Sequence, residues 1–261
     1  MLKKIMITIK SKKEIEIMKE ACKIVADLYE YIETIIKPGM STYEIDKMAE
    51  KFIRSRGGIP AQINYPSGVR GVPAFPAATC ISVNDEVIHG IPSKDIIIKD
   101  GDIVSVDTVV LKNGFHGDAA RTFLVGEVSN EAKQLVEVTK QAFFEAVKFA
   151  KKGNRIGDIS NAVETYVKKY GYTVVREFQG HGIGREMHED PGIPNYGKAG
   201  RGPRIEPGMT LAIEPMVIDG KQDIWELEDG WTIATQDGSM SAHYENTVLI
   251  TENEPKILTI N

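Results

Sequence analysis

Apolar positions along this chain fall into two periods, and the switch between them marks its elements. From Ser11 onward, Ile15, Met18, Cys22, Val25, Tyr29, Ile32 and Ile36 recur at spacings of three and four, which predicts an amphipathic helix. Ser11 with Glu14 is a capping-box signature at its start. Lys37-Pro38-Gly39 stops it, because proline cannot continue the ladder and glycine accepts the exit geometry. A second helix is predicted from Ser41 to about Arg56, burying Ile45, Met48, Ala49, Phe52 and Ile53. Two more follow, from about Asn130 to Lys151 and from about Gly157 to Tyr170. Alternating or short apolar runs predict strands at Thr79–Val83, Ile103–Leu111, Thr122–Gly126, Thr173–Phe178, Thr210–Ile218, Gly230–Ala234 and Asn246–Ile250. The proline- and glycine-rich stretches Pro60–Pro76 and Asp190–Pro207 read as irregular loops.

The second pair of helices repeats the first in register. Gly39, Ile45, Glu50, Phe52, Ile53 and Gly57 align without gaps on Gly153, Ile159, Glu164, Tyr166, Val167 and Gly171. Amphipathic helices resemble one another by chance, but agreement at glycines as well as apolar sites favours duplication of a two-helix plus hairpin unit. One domain covering 1–261 is therefore expected, with pseudo-repeat halves at about 11–126 and 129–251. Its class is α+β, with antiparallel strands lining the interface and helices covering the outer face.

The repeat also places acids. GDIVSVD ends at Asp107 as GMTLAIE ends at Glu214, and Asp118 and Glu245 each stand just ahead of an apolar strand. Asp118 follows a Lys112-Asn113-Gly114 turn, so in a hairpin it can face Asp107 across the ladder, and Glu214 and Glu245 can do the same. Carboxylates on apolar strands are costly to bury unless paired or bound to a cation. For one acid an ion pair or turn hydrogen bond explains the position; for four related by a repeat, a multivalent metal centre does so better. His181 and His188 lie in GHGIGREMHEDP, whose glycines allow sharp turns. His116 and His243 each stand two residues before an acid and read as supporting or structural groups. An oxygen-rich site with one or two imidazoles and no thiolate suits Mn, Fe(II), Co or Zn. Two such ions offset four carboxylates and lower the pKa of shared solvent, which is a hydrolase's nucleophile.

Composition narrows the setting. The chain has 261 residues, 42% hydrophobic, with a net charge of −5, which argues against a general nucleic-acid binder. Lys3, Lys4, Lys10, Lys12 and Lys13 read as a solvated edge, with a weak dock onto an anionic partner as the second reading. Cys22 and Cys80 stand far apart, so neither a disulfide framework nor a thiolate zinc site is indicated. No apolar run reaches the length of a membrane span, and MLKKIMITIK lacks a signal peptide's apolar stretch. The cytosol is the expected compartment.

HGIP at His89, the two aspartates, GHGIGREMHEDP, AIEPMV around Glu214 and DGWTIATQDGSMSAHYENT around Glu245 resemble type I methionine aminopeptidases over essentially the whole chain. The resemblance implies the pita-bread fold and removal of the initiator methionine from nascent chains, where the second residue is small. It implies two divalent ions held by Asp107, Asp118, His181, Glu214 and Glu245, with Asp118 and Glu245 bridging. Glu214 would move a proton from water to the leaving amine, His188 would hydrogen-bond the scissile carbonyl, and His89 would contact the scissile nitrogen or leaving group. Phe75, Cys80, His89 and Trp231 match positions of the methionine pocket, with Tyr65 as a further wall. The chain is longer than usual bacterial members between Tyr65 and Phe75, and Met187 replaces a common phenylalanine, so a reshaped pocket is expected. Neither an N-terminal zinc-finger extension nor the helical insertion of type II members is expected. Partners would be peptides and nascent chains beginning with methionine, with transient ribosome association, no membrane and no sequence-specific nucleic acid. The rival readings are an X-Pro peptidase of the same fold, and a non-catalytic peptide-binding relative.

Overall fold

Hydrogen-bonded caps open three of the four helices. The computed structural model describes residues 6–261 of the chain. Helix α1 (Lys12–Ile35) starts at Ser11, whose hydroxyl accepts from the Glu14 N–H while the Glu14 carboxylate accepts from the Ser11 N–H. Helix α2 (Thr42–Ser55) repeats that box with Ser41 and Glu44. Between the helices and the main hairpin lie β1 (Ile59–Pro60), β2 (Cys80–Val83) and β3 (Glu86–Ile88). The hairpin is β4 (Ile103–Lys112) and β5 (Phe115–Leu124), closed by Asn113 and Gly114, both at positive φ as a two-residue turn requires.

Helix α3 (Asn130–Val147) is capped by Ser129 and ends a turn earlier than its apolar pattern predicts. The chain then tightens through bonds from Phe149 N–H to the Ala146 carbonyl and from Lys151 N–H to the Phe149 carbonyl, ahead of Gly153. Helix α4 (Ile156–Lys168) follows. The matched glycines adopt matched conformations: φ is 89° at Gly39 and 93° at Gly153, and 72° at Gly57 and 81° at Gly171. The remaining strands are β6 (Thr173–Val174), β7 (Gln179–Gly182), β8 (Glu189–Pro194), β9 (Thr210–Ile213), β10 (Met216–Ile218), β11 (Ile224–Glu226), β12 (Ile233–Thr235), β13 (Ser241–His243), β14 (Glu245–Leu249) and β15 (Lys256–Ile257).

The large sheet runs β1-β4-β5-β14-β9-β7-β8, with β2 on β4 and β15 on β14. Two smaller sheets, β13-β10-β6 and β11-β12-β3, flank it. Each helix pair covers its own half of one face. Ile24, Val25, Leu28 and Ile32 pack with Val104, Val106, Val110 and Ala119, while Leu135, Phe143 and Ile159 pack with Leu211, Ile213 and Val248. The closest approach is at Gly117 on β5, where a Cβ would lie 2.7 Å from the Cys22 nitrogen on α1. The other face of β4 and β5 carries Asp107 and Asp118.

Several expected boundaries move. Asp118 sits inside β5, three residues past its start, rather than ahead of a strand beginning at Thr122. The expected strand Thr210–Ile218 breaks at Glu214-Pro215, because proline cannot donate to a ladder. Thr173–Phe178 keeps only two strand residues, Ile233–Thr235 replaces Gly230–Ala234, and part of the loop expected at Asp190–Pro207 is β8. Among the N-terminal lysines, Lys3 and Lys4 lie outside the described residues, and Lys12 and Lys13 are exposed. Lys10 is not part of a solvated edge: it is 7% exposed and ion-paired to Glu189. No helix among the described residues is long and apolar enough to cross a membrane.

Candidate metal centre and substrate cleft

Strand register brings the acids together in two neighbouring rows. Asp107 pairs with Ala120, and Ala120 pairs in turn with Glu245, so the two carboxylates look across a methyl group. Glu214 leaves β9 one residue past the Ile213–Asn246 pair, beside Glu245. In the next row Asp118 pairs with Val109, and His181 on β7 pairs with Ala212, which pairs with Thr247. Asp107 and Asp118 thus meet on the diagonal and not directly opposite, as the hairpin alone had suggested. Diagonal neighbours on one face remain within reach of one another.

Asp118, His181 and Glu245 each offer a donor atom, and these atoms all lie within 4.8 Å of one another. His181 Nε2 is 3.7 Å from both Asp118 Oδ2 and Glu214 Oε1. Asp107 falls outside that three-residue group but lines the same cleft, its Oδ1 lying 3.5 Å from the Gln62 amide nitrogen. His181 Nδ1 is 2.9 Å from the Gly182 carbonyl, which only accepts, so the ring proton sits on Nδ1 and Nε2 keeps its lone pair. The Thr247 hydroxyl bonds both the N–H and the carbonyl of Asp118, fixing its backbone.

The electrostatics of this cluster ask for a cation. Burial raises all four carboxyls above their ordinary range, Asp107 to about 7, and for Asp118, Glu214 and Glu245 the neighbouring carboxylates add repulsion. Burial lowers His181 to about 3, assisted by His188. The buried atoms Asp118 Oδ1 and Glu245 Oε1 have no hydrogen-bond partner, and no lysine or arginine among the described residues lies within 4 Å of the four carboxylates. Carboxylate oxygens with one neutral imidazole nitrogen and no thiolate are a donor set for hard or borderline divalent metals. The residues fit such an ion.

Beside the acids opens a cleft of about 1100 Å³. Phe75 and Trp231 meet edge to face at 5.2 Å, and His89 stands 6.3 Å from Trp231 and 5.6 Å from Phe178. His89 holds a φ of 60°, a region a non-glycine residue seldom occupies, and burial lowers its pKa to about 4. Cys80, beside Asp107 on β2, is buried and its thiol is pushed well up, which makes it an apolar wall and not a nucleophile. Tyr65 reaches His188, its hydroxyl 2.7 Å from Nδ1, and His188 stacks edge-on to His181 at 4.4 Å. The segment between Tyr65 and Phe75 is pinched at its base by bonds from Asn64 N–H to the Phe75 carbonyl and from Phe75 N–H to the Tyr65 carbonyl. Both walls are thus tied together at the base of this segment, and the Trp231 indole N–H donates to the Pro73 carbonyl. Met187 is buried and lines the cleft.

Two further histidines stand near the cluster. His116 lies 3.1 Å from the Gly184 carbonyl and supports the turn bearing His188, away from Asp118. His243 Nε2 lies 3.8 Å from Glu214 Oε2. Sequence patterns missed Gln62, Thr247, Lys10 and Glu189. The first lies in an aperiodic loop, and a lone threonine, lysine or glutamate carries no spacing signal.

A model of metallopeptidase family M24 matches residues 16–252. The chain belongs to metallopeptidase family M24. Family M24 membership implies use of a divalent metal. Among curated relatives, the chain is 51% identical to a methionine aminopeptidase of Clostridium acetobutylicum, covering 98% of this chain and 99% of that protein. It is 47% identical to methionine aminopeptidase 1 of Bacillus subtilis, covering 97% and 99%. The crystal structure of the methionine aminopeptidase of Thermotoga maritima superposes with a TM-score of 0.94 at 44% identity, covering 98% of this chain and all of that one. A prolidase of Pyrococcus furiosus gives 0.77 at 27% identity, with only 65% of that protein covered. The M24 fold here is the α+β pita-bread arrangement expected from the sequence.

Proposed function

We propose that this chain is a dinuclear metalloaminopeptidase that removes the N-terminal methionine from peptides and nascent proteins whose second residue is small. The observation that carries it is the set of buried, unpartnered carboxylate oxygens around His181, opening onto an apolar pocket, in a chain similar along nearly its whole length to methionine aminopeptidases. Asp107, Asp118, His181, Glu214 and Glu245 would hold two divalent ions, Co, Mn, Fe(II) or Zn, with Asp118 and Glu245 shared. Bound there, the ions would supply Lewis acidity and lower the pKa of attacking water.

The chain's own groups then divide the work. Glu214, its Oε1 3.7 Å from His181 Nε2, would take the proton that the attacking water gives up and pass it to the leaving amine. With the Tyr65 hydroxyl donating to Nδ1, His188 carries its proton on Nε2 and donates it to the scissile carbonyl oxygen as charge develops. Burial keeps His89 neutral, free to hydrogen-bond the scissile nitrogen. Phe75, Cys80, Trp231 and Tyr65 receive the methionine side chain. Crowding beside the carboxylates excludes large second residues. The two halves, 11–126 and 129–251, are read as copies of one unit, supported by the matched glycine conformations. Substrates of this kind place the enzyme in the cytosol, with transient access to the ribosome and no membrane or sequence-specific nucleic-acid partner.

The test is methionine release from Met-Gly-Met by the purified chain reconstituted with Co(II) or Mn(II) under reducing conditions. No release with any of the four metals would count decisively against the reading. Turnover of X-Pro peptides above that of Met-Ala peptides would favour the prolidase-like alternative, and loss of both activities with no metal uptake the binding one.

A further inference from the structure

Residues 6–10 form a strap across the beginning of β8. Ile7 bridges Asp190 in parallel, and the Met6 N–H donates to Asp190 Oδ2 at 2.8 Å. The Lys10 N–H donates to the Gly208 carbonyl at 2.8 Å, turning its side chain inward. There the ammonium meets Glu189 Oε2 at 2.6 Å and Thr8 Oγ1 at 2.5 Å, and the Thr8 hydroxyl bonds the same carboxylate oxygen. Both ionic side chains are almost sealed, 5% and 8% exposed. Two glycines make the socket: a Cβ at Gly184 would fall 2.4 Å from Lys10 Cε, and one at Gly208 would fall 3.0 Å from the Lys10 carbonyl oxygen. The other oxygen of Glu189 accepts from the Glu186 N–H at 3.3 Å, across the turn that ends in His188.

A buried ion pair gains little stability over a packed apolar pair, because desolvation offsets attraction. Its lasting effect is geometric. His188 is the last turn residue before β8, outside any ladder; Tyr65 holds its ring, while the backbone that aims it depends on the turn, which Glu189 ties at the Glu186 N–H. We propose that Lys10 is a positioning residue for the reaction, acting through Glu189 on the turn that carries His188. This rests on the part given to His188 above.

The experiment is a double-mutant cycle on the metal-loaded enzyme with Met-Ala-Ser as substrate. Lys10→Met should lower kcat on the order of tenfold or more, since a displacement of about 1 Å can cost about a hundredfold, with KM and bound metal unchanged. Combined with His188→Ala, it should add nothing to the loss that His188→Ala causes alone. Wild-type kcat in Lys10→Met, or a loss that multiplies that of His188→Ala, would overturn the proposal. If Lys10→Met does not fold, judged by its melt, Glu189→Gln is read through the same cycle. Hydrogen exchange supplies a readout independent of turnover. Residues 184–190 should exchange faster in the variant with the metal-free protein, and unchanged exchange there overturns the bracing whatever the substrate proves to be.

Discussion

The Tyr65 hydroxyl and His188 Nδ1 lie 2.7 Å apart, joining the wall of the apolar pocket to the imidazole proposed to bond the substrate carbonyl. A phenol donating to Nδ1 leaves the ring's proton on Nε2, the nitrogen free to stabilise developing charge. Tyr65→Phe removes that donor and lets both tautomers populate. The expected result is a fall in kcat of roughly three- to tenfold, the weight of one hydrogen bond, with metal content intact. Steady-state kinetics on Met-Ala peptides check it; an unchanged kcat would remove the tyrosine from this role.

Asp118→Asn should nearly abolish turnover and weaken metal retention, because the amide offers a neutral donor set in place of a shared anion. The same change should raise the melting temperature of the chelated protein, since it removes one of four mutually repelling buried acids. Relief of about 1 kcal/mol corresponds to roughly 2–4 °C in a chain of this size. Metal analysis and melts in chelator decide the matter. Normal activity with unchanged metal content would contradict a bridging role.

Chelation should also reshape the pH dependence of stability. In the folded, metal-free protein burial raises Asp107 to about 7, above its value in the unfolded chain, and raises the other three carboxyls well above theirs. These carboxyls therefore bind more protons in the folded state, so the stability they contribute is fully present below the unfolded carboxylate range of about 4 and declines as pH rises through 7. Urea melts of the metal-free protein at pH 7 and pH 9, above the unfolded range of the buried neutral histidines that oppose this trend at lower pH, should show the lower midpoint at pH 9. Divalent ions should narrow that gap, because metal binding replaces the protons. Equal midpoints without metal would show that the acids do not repel as placed.

Gly117→Ala tests the packing beneath the centre. The new methyl would meet backbone atoms of Ala21 and Cys22 at 2.7–2.9 Å, where no side chain can swing aside. Destabilisation of about 1–3 kcal/mol is expected, read from denaturant midpoints. Because Asp118 follows directly, metal affinity should fall with it.

Most of the helical frame was legible in the sequence because its signals are local. Ser11 and Glu14, or Ser41 and Glu44, declare a helix start within four residues, and their boxes form as expected. The acids were also legible, since buried carboxylates on strands need a reason. Their diagonal offset was not, because register depends on which strands meet. The early part of β5, FHGDAAR, escaped strand recognition: its small and polar residues are buried by the close approach of α1 on one face and by the acid cluster on the other, so apolar alternation is missing. Lys10 misled for a related reason. A lysine near a chain end reads as solvated until a distant glutamate, Glu189, and two distant glycines turn out to enclose it.

The seam between the halves has a consequence for assembly. β5 and β14 register through Glu245 with Ala120 and Asn246 with Ala119, and the acids contributed by either side stand along that narrow border. If the five proposed ligands hold the ions, neither half alone would supply the full set. Under the proposed assignment, hydrolysis would wait on this one seam being closed in register.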